Sequence, residues 1–311
     1  MQFKSIGGKI NPMSDNTLSE FSDGLAAAVA KAAQSTVLVN ARRRLPASGI
    51  AYAADLVLTA DHVLEREEEI SVILADGSQV AATIAGRDPA RDLALLRLKQ
   101  SNATPAEAAA QAPKVGHLVL ALGRPDANGV QASLGVLSAV GGPVRTGHGA
   151  LLEQYYRSDT NPYPGFSGGP LVDVQGKILG INTSALAMGS LITIPAKLAW
   201  EAAANLALHG HIRRGFLGIR SQAVTLAPAQ QTALNRNQAN GLLLVDVEVN
   251  SPAATSGLIV GDILVGWDGH PLADHDDLQS QLAGEPAGKA VPVEVLRGGQ
   301  LTKIMVSVGE R

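Results

Sequence analysis

Between Thr36 and Val140 the chain is cut into short apolar runs, STVLVNA, LVLTA, ISVILADG, QVAATIAG, LALLRL, HLVLALG and LGVLSAV, separated by Gly, Asp-Gly and Pro. Runs of this length cannot supply long helices. Many short strands with frequent turns predict an antiparallel sandwich or barrel. The run over 171–183 (LVDVQGKILGINT) reads as a hairpin turning at Gln175-Gly176. Helical spacing appears only at the flanks, in the Ala-rich stretch 17–34 and again over 196–209 (AKLAWEAAANLALH).

The 311 residues leave room for about two domains. HGHIRRG (209–215) is the predicted linker, and a second β-rich unit follows, with helical stretches near 252–257 and 274–283. The expected organisation is a flexible segment over 1–16, a first domain over 17–208, the linker over 209–215 and a second domain over 216–311. Hydrophobic residues make up 46% of the chain, enough for packed cores, and the net charge is −3 from 25 basic and 28 acidic residues. No broad basic field is available, so nucleic acid is not an expected partner. The absence of cysteine removes disulfides, thiol catalysis and thiolate metal sites. No signal peptide or membrane span is expected, because the opening MQFKSIGGKINPMSDN is polar. A removed leader would mean an extracytoplasmic, periplasmic location; otherwise the cytoplasm is expected.

Three residues carry the chemistry. Ser167 lies in Pro-Gly-Phe-Ser-Gly-Gly-Pro, where small residues let the backbone turn sharply and let substrate come close. His62 follows the apolar run ending in Leu-Thr-Ala, and Asp92 opens Leu-Ala-Leu-Leu-Arg-Leu. Alone, His62 is an ordinary strand-end residue, Asp92 a turn residue and the glycine string a flexible loop. Together they stand in the order His, Asp, Ser, each beside a strand able to hold it, which is the order of the chymotrypsin-type triad. Ser167 is then the nucleophile, His62 the general base and acid, and Asp92 the group that orients the imidazole. Asp88 competes for the acidic role, but it precedes Pro89 and reads as a turn residue. The N–H groups of Gly165 and Ser167 are the expected oxyanion hole.

LTADHV, DPARDLALLRL and PGFSGGPLVD followed by GKILGINT resemble the HtrA (Deg) family of trypsin-fold serine proteases, and RGFLGI with SPAATSGLIVGDILVGWDG resembles the PDZ domain attached to them. The resemblance runs from about residue 20 to the C-terminus. It implies a mainly β chain: a chymotrypsin-like double β-barrel protease domain and a small α+β PDZ domain. It further implies an ATP-independent endopeptidase acting on unfolded or misfolded proteins and a homotrimer assembled near the start of the protease domain. No metal or organic cofactor is indicated. Phe3 and Phe21 are the early aromatics available for such assembly. Ile181-Asn182-Thr183 is expected to line the substrate cleft and pair with substrate as an added strand. Asn161, uncharged where trypsin-like specificity needs an acid, argues against Arg or Lys before the scissile bond; it also reads as a turn former before Pro162. Phe216-Leu217-Gly218-Ile219 matches a carboxylate-binding loop offering N–H groups to a peptide C-terminus. Arg213 and Arg214 stand upstream as added positive charge or as a solvated linker, Asp262 in a turn, and His270 and His275 as surface residues.

The family usually has Asn where this chain has Phe166 and Tyr163. Both are placed beside the nucleophile, Phe166 as a cleft residue or packed outward. They motivate the alternative reading of a peptide-binding, chaperone-like module with weak or no proteolysis. The loops RRRLPASG and ALAMGSLITIPA are short relative to the family.

Overall fold

The computed structural model describes residues 15–100, 102–146, 151–186, 191–210, 215–284 and 288–310. Phe3, Arg213 and Arg214, and most of the segment expected over 1–16, lie outside the described residues. The chain divides into two compact units at residues 211 and 212.

In the first unit, helix α1 (Asp15–Ala33) buries Ala28 and Ala32. Strands β1 (Thr36–Asn40), β2 (Ala47–Ala53), β3 (Leu56–Thr59), β4 (Ile70–Ile73), β5 (Gln79–Asp88) and β6 (Leu93–Leu98) close into an antiparallel barrel in the order β1-β2-β3-β6-β5-β4. Closure leaves no open edge. The start of β5 shows the pleat, with Val80 and Ala82 buried between exposed Gln79, Ala81 and Thr83. These two join Val37, Val39, Val57 and Leu96 in the barrel core.

The second barrel uses β7 (Leu118–Asp126) and β8 (Gly129–Gly141), then, after the small ribbon of β9 (Val144–Arg145) and β10 (Leu151–Leu152), β11 (Tyr155–Ser158), β12 (Pro170–Val172), β13 (Ile178–Thr183) and β14 (Ile192–Pro195). Its order is β11-β14-β13-β12-β7-β8, again closed. The predicted hairpin is β12–β13. Helix α2 (Ala196–His209) packs on β5 and β6 of one barrel and on β13 of the other, burying Ala196, Ala199, Ala202, Ala203 and Leu206 at helical spacing. It ends at Gly210 in the left-handed conformation, whose carbonyl accepts the Arg87 N–H at 3.2 Å. The expected linker therefore starts inside a helix, because His209 completes the last turn, and it ends in β15.

The second unit has a short ribbon of β15 (Gly215–Phe216) with β22 (Gly309–Glu310), and a sheet in the order β16-β17-β18-β20-β21. Those strands are β16 (Ile219–Thr225), β17 (Asn240–Val247), β18 (Ile263–Trp267), β20 (Ala290–Arg297) and β21 (Gln300–Ser307), with β19 (His270–Pro271) beside β18. Helices α3 (Pro228–Leu234), α4 (Pro252–Thr255) and α5 (His275–Gly284) complete it. The core gathers Leu242, Leu264, Trp267, Val293 and Val306. Asp262 does more than turn the chain: it is buried, and both carboxylate oxygens pair with Arg297 at 2.8 Å.

Candidate active site

Local turns set the chain positions of His62 and Asp92. Beyond β3 the chain makes one 3-10 turn, Asp61–Val63, which lifts His62 off the strand end. The buried Asp61 carboxylate is bonded by Arg87 Nε at 2.5 Å, and that bond raises the guanidinium pKa above its usual value. Asp88-Pro89 opens a tight turn closed by Arg91 N–H to Asp88 O and Asp92 N–H to Pro89 O. This leaves Asp92 at φ 56, a left-handed position that Asp tolerates.

The Asp92 carboxylate is buried and accepts three donors. Oδ1 takes the His62 backbone N–H at 2.8 Å; Oδ2 takes His62 Nδ1 at 2.8 Å and the Thr183 hydroxyl. A carboxylate only accepts, so Nδ1 carries the proton and Nε2 is left with the lone pair. Asp88, the competitor, is buried and pairs with Arg91 at 3.3 Å.

Ser167 comes from the second barrel. Pro164 stands before Gly165 at φ 85, and the Phe166 N–H bonds the Tyr163 carbonyl at 3.1 Å, so Tyr163–Phe166 is a type II turn. The loop is then bonded almost throughout. Gly169 N–H meets Phe166 O at 2.9 Å, Gly168 N–H meets Asn182 O at 2.8 Å, Asn182 N–H meets Gly169 O at 2.8 Å, and Ser48 N–H meets Ser167 O at 3.1 Å. The N–H groups of Gly165 and Ser167 have no hydrogen-bond partner among the described residues. Among those residues the Ser167 hydroxyl is bonded to the Ser184 hydroxyl at 3.1 Å rather than to His62.

Gly168 has φ 85, and a Cβ there would run into the Ser48 carbonyl oxygen and the Thr59 hydroxyl. Gly168→Ala is expected to lower stability by about 3 kcal/mol, the sum of a strained φ and an overpacked contact. Urea denaturation measures it, and a midpoint equal to that of the parent chain would contradict the expectation.

Two expectations for the cleft are corrected. Phe166 is 1% exposed and sits in the second barrel's core with Leu137, Tyr156, Leu171 and Leu179, edge-on to Tyr163. Gly123 has no side chain and so leaves room for its ring. Ile181-Asn182-Thr183 has no free edge over 181–182. β13 is paired with β12 on one side and β14 on the other, and Asn182 bonds the nucleophile loop through its own N–H and C=O. Thr183 instead presents its hydroxyl to Asp92. Asn161 is exposed, and its carbonyl accepts the Tyr163 N–H at 3.0 Å, the geometry of a turn former.

Sequence reasoning missed Ser48 and Ser184. Ser48 lies 117 positions from Gly165, whose carbonyl its hydroxyl bonds at 2.7 Å. Only the Ser-Gly pair in an apolar run hinted at it.

In the second unit, Gly218 holds φ 74, and the N–H groups of Leu217 and Gly218 have no partner among the described residues. Their carbonyls are bonded by Ala253 N–H and Glu248 N–H. Ile219 begins β16, the end strand of its sheet. His275, exposed as expected, opens α5 and donates from Nε2 to the Ser221 carbonyl of β16 at 2.9 Å. His270 is exposed in β19. Among the described residues no group of three or more His, Asp or Glu side chains could hold a metal ion, and no helix is long and apolar enough to cross a membrane.

Known proteins share these features. Residues 47–181 match the trypsin-like peptidase domain family and residues 215–308 the PDZ domain family. A Pseudomonas putida protein named probable periplasmic serine endoprotease DegP-like is 33% identical over 269 residues, covering 84% of this chain and 55% of that protein. The periplasmic pH-dependent serine endoprotease DegQ of Escherichia coli is 32% identical over 259 residues, covering 81% of this chain and 56% of its own length. The chain thus spans about half the length of these relatives. Among solved structures, the HtrA-type protease AlgW with tripeptide superposes with a TM-score of 0.70 at 30% identity, covering 92% of this chain and 97% of that one. The serine endoprotease from Yersinia pestis gives 0.72 at 28% identity, with 92% and 98% covered.

Proposed function

Because the chain belongs to the HtrA (Deg) family of serine proteases, we propose that it is a serine endopeptidase that degrades unfolded or misfolded proteins. Ser167 attacks the scissile carbonyl. His62 Nε2 takes its proton and returns it to the leaving amine, Asp92 holds the imidazole through Nδ1, and water then releases the acyl-enzyme. Hydrolysis by this route uses no nucleotide.

One observation carries the reading. In a loop whose other amides are bonded, the N–H groups of Gly165 and of the candidate nucleophile Ser167 itself have no partner among the described residues. Unpaired, fixed donors beside a nucleophile are what a developing oxyanion needs. The Ser167–Ser184 bond belongs to a resting site, since catalytic hydrogen bonds often tighten only with substrate. Burial of Phe166 removes one motive for the chaperone-like alternative, because its ring points into the barrel. Digestion of casein by the purified protein tests the proposal; no cleavage at any temperature between 20 and 60 °C (roughly the range before such domains unfold) would sink it.

The PDZ unit is proposed to take peptide C-termini. The N–H groups of Leu217 and Gly218 would meet the carboxylate, and the peptide would add as a strand to β16. A C-terminal peptide ending in a free carboxylate is expected to bind at least about tenfold more tightly than its C-terminal amide, from loss of charge-assisted hydrogen bonds. Isothermal titration compares them, and equal affinities would discard the carboxylate role. Exposed Leu18 and Phe21 on α1 support self-association, proposed as a homotrimer and checked by light scattering. Export would put the enzyme in the periplasm, the compartment in the names of its bacterial relatives.

A further inference from the structure

We infer that Ser48, on β2 of the first barrel, is a positioning residue for the oxyanion site on the second. The inference rests on the peptidase reading above and assigns one more residue to it. Ser48 is fully buried and makes four hydrogen bonds. Its hydroxyl accepts the Arg124 N–H at 2.8 Å and donates to the Gly165 carbonyl at 2.7 Å. Its own N–H donates to the Ser167 carbonyl at 3.1 Å, and its carbonyl accepts the Thr59 hydroxyl at 2.7 Å.

In the nucleophile loop, Gly165 and Ser167 are the residues whose N–H groups have no partner among the described residues. Ser48 holds the carbonyl of each. A backbone N–H can only donate, so Arg124 fixes one lone pair of the Ser48 oxygen and the hydroxyl proton is free for Gly165. The Gly165–Phe166 peptide is then held at both ends, its carbonyl by Ser48 and its N–H by Tyr163. Glycine is the residue most able to rotate here. Fastening its carbonyl keeps its N–H, and that of Ser167, aimed before charge develops on the substrate, which is what makes such donors effective. Arg124 is itself anchored, its Nε bonded to the Thr36 carbonyl at 3.0 Å, so the relay ends in the first barrel's framework. Ser48 touches neither substrate nor reacting atoms.

Ser48→Ala would leave the partly buried Gly165 carbonyl and the Arg124 N–H without these partners, and turning the Gly165 peptide would relieve this. The test uses the full chain, with active sites counted by a fluorophosphonate. Three quantities are read: kcat per titrated site, KM, and inhibition by a peptide boronic acid whose tetrahedral adduct puts an oxygen in the hole. Ser48→Ala should lower kcat by about tenfold to hundredfold, less than deleting a donor outright, and weaken boronate binding by a similar factor. KM should change by less than about twofold, since ground-state binding is untouched. Ser48→Cys, close in shape and a weaker donor, should fall between and remains readable if the alanine variant does not fold. Wild-type kcat and boronate affinity in either folded variant would overturn the inference. So would a raised KM with unchanged boronate affinity. A wild-type chain that neither cleaves nor reacts with the fluorophosphonate would sink the peptidase reading and the inference together; an active chain indifferent to Ser48 sinks the inference alone.

Discussion

Ser167→Ala is expected to lower kcat on casein or a peptide substrate by about a millionfold, the scale seen when a serine nucleophile is deleted from an intact site. The substitution removes one oxygen whose partner here is the Ser184 hydroxyl at 3.1 Å, and no backbone bond of the loop depends on it. The folded state should therefore keep its melting temperature to within about 2 °C, as for a substitution worth less than about 0.5 kcal/mol. What remains should exceed the uncatalysed rate, because the Gly165 and Ser167 amides still meet the carbonyl when water attacks. Gel-based cleavage with matched circular dichroism reads both quantities. Activity that survives would move the nucleophile elsewhere.

Asp92→Asn comes next, with an expected fall of about ten-thousandfold in kcat. Oδ2 of Asp92 accepts from both His62 Nδ1 and the Thr183 hydroxyl, while Oδ1 accepts the His62 backbone N–H. An amide cannot accept at both ends. If its oxygen keeps the backbone N–H, its nitrogen faces Nδ1 as a donor, and the imidazole must carry its proton on Nε2, where it cannot take one from Ser167. The enzyme would be folded, with the wrong tautomer. Asp88→Asn supplies the contrast: Asp88 pairs with Arg91, so that change should affect stability more than turnover. If the Asp88 variant lost activity and the Asp92 variant kept it, the acidic role would have to be reassigned.

The residues of the candidate site were legible where local chemistry places them. Pro164-Gly165 writes a type II turn, Asp88-Pro89 writes the turn into β6, and the apolar run before His62 ends in a strand. The same held for α2, whose alanines recur at helical spacing, and for the β12–β13 hairpin. Strand β2 was hidden, because Ala-Ser-Gly-Ile-Ala-Tyr-Ala has little β propensity; it is a strand because β1 and β3 pair with both its sides. Gly49 within it is required by the side chains of Val57 and Val39, which come too close for a Cβ. Phe166 was misplaced because its cavity is made by Gly123 on β7, and a cavity has no local pattern. β13 was misread because an apolar strand looks alike whether its edges are free or taken. Ser48 left only a Ser-Gly pair to hint at it, because its partners are far away in the chain.

His62 and Asp92 stand on one barrel and Ser167 on the other, and Ser48 ties the nucleophile loop across the divide. A molecule whose barrels begin to part therefore disarms itself before its own backbone becomes loose enough to cut. An unfolding copy becomes prey only for an intact neighbour, so heat would silence an isolated molecule rather than make it consume itself.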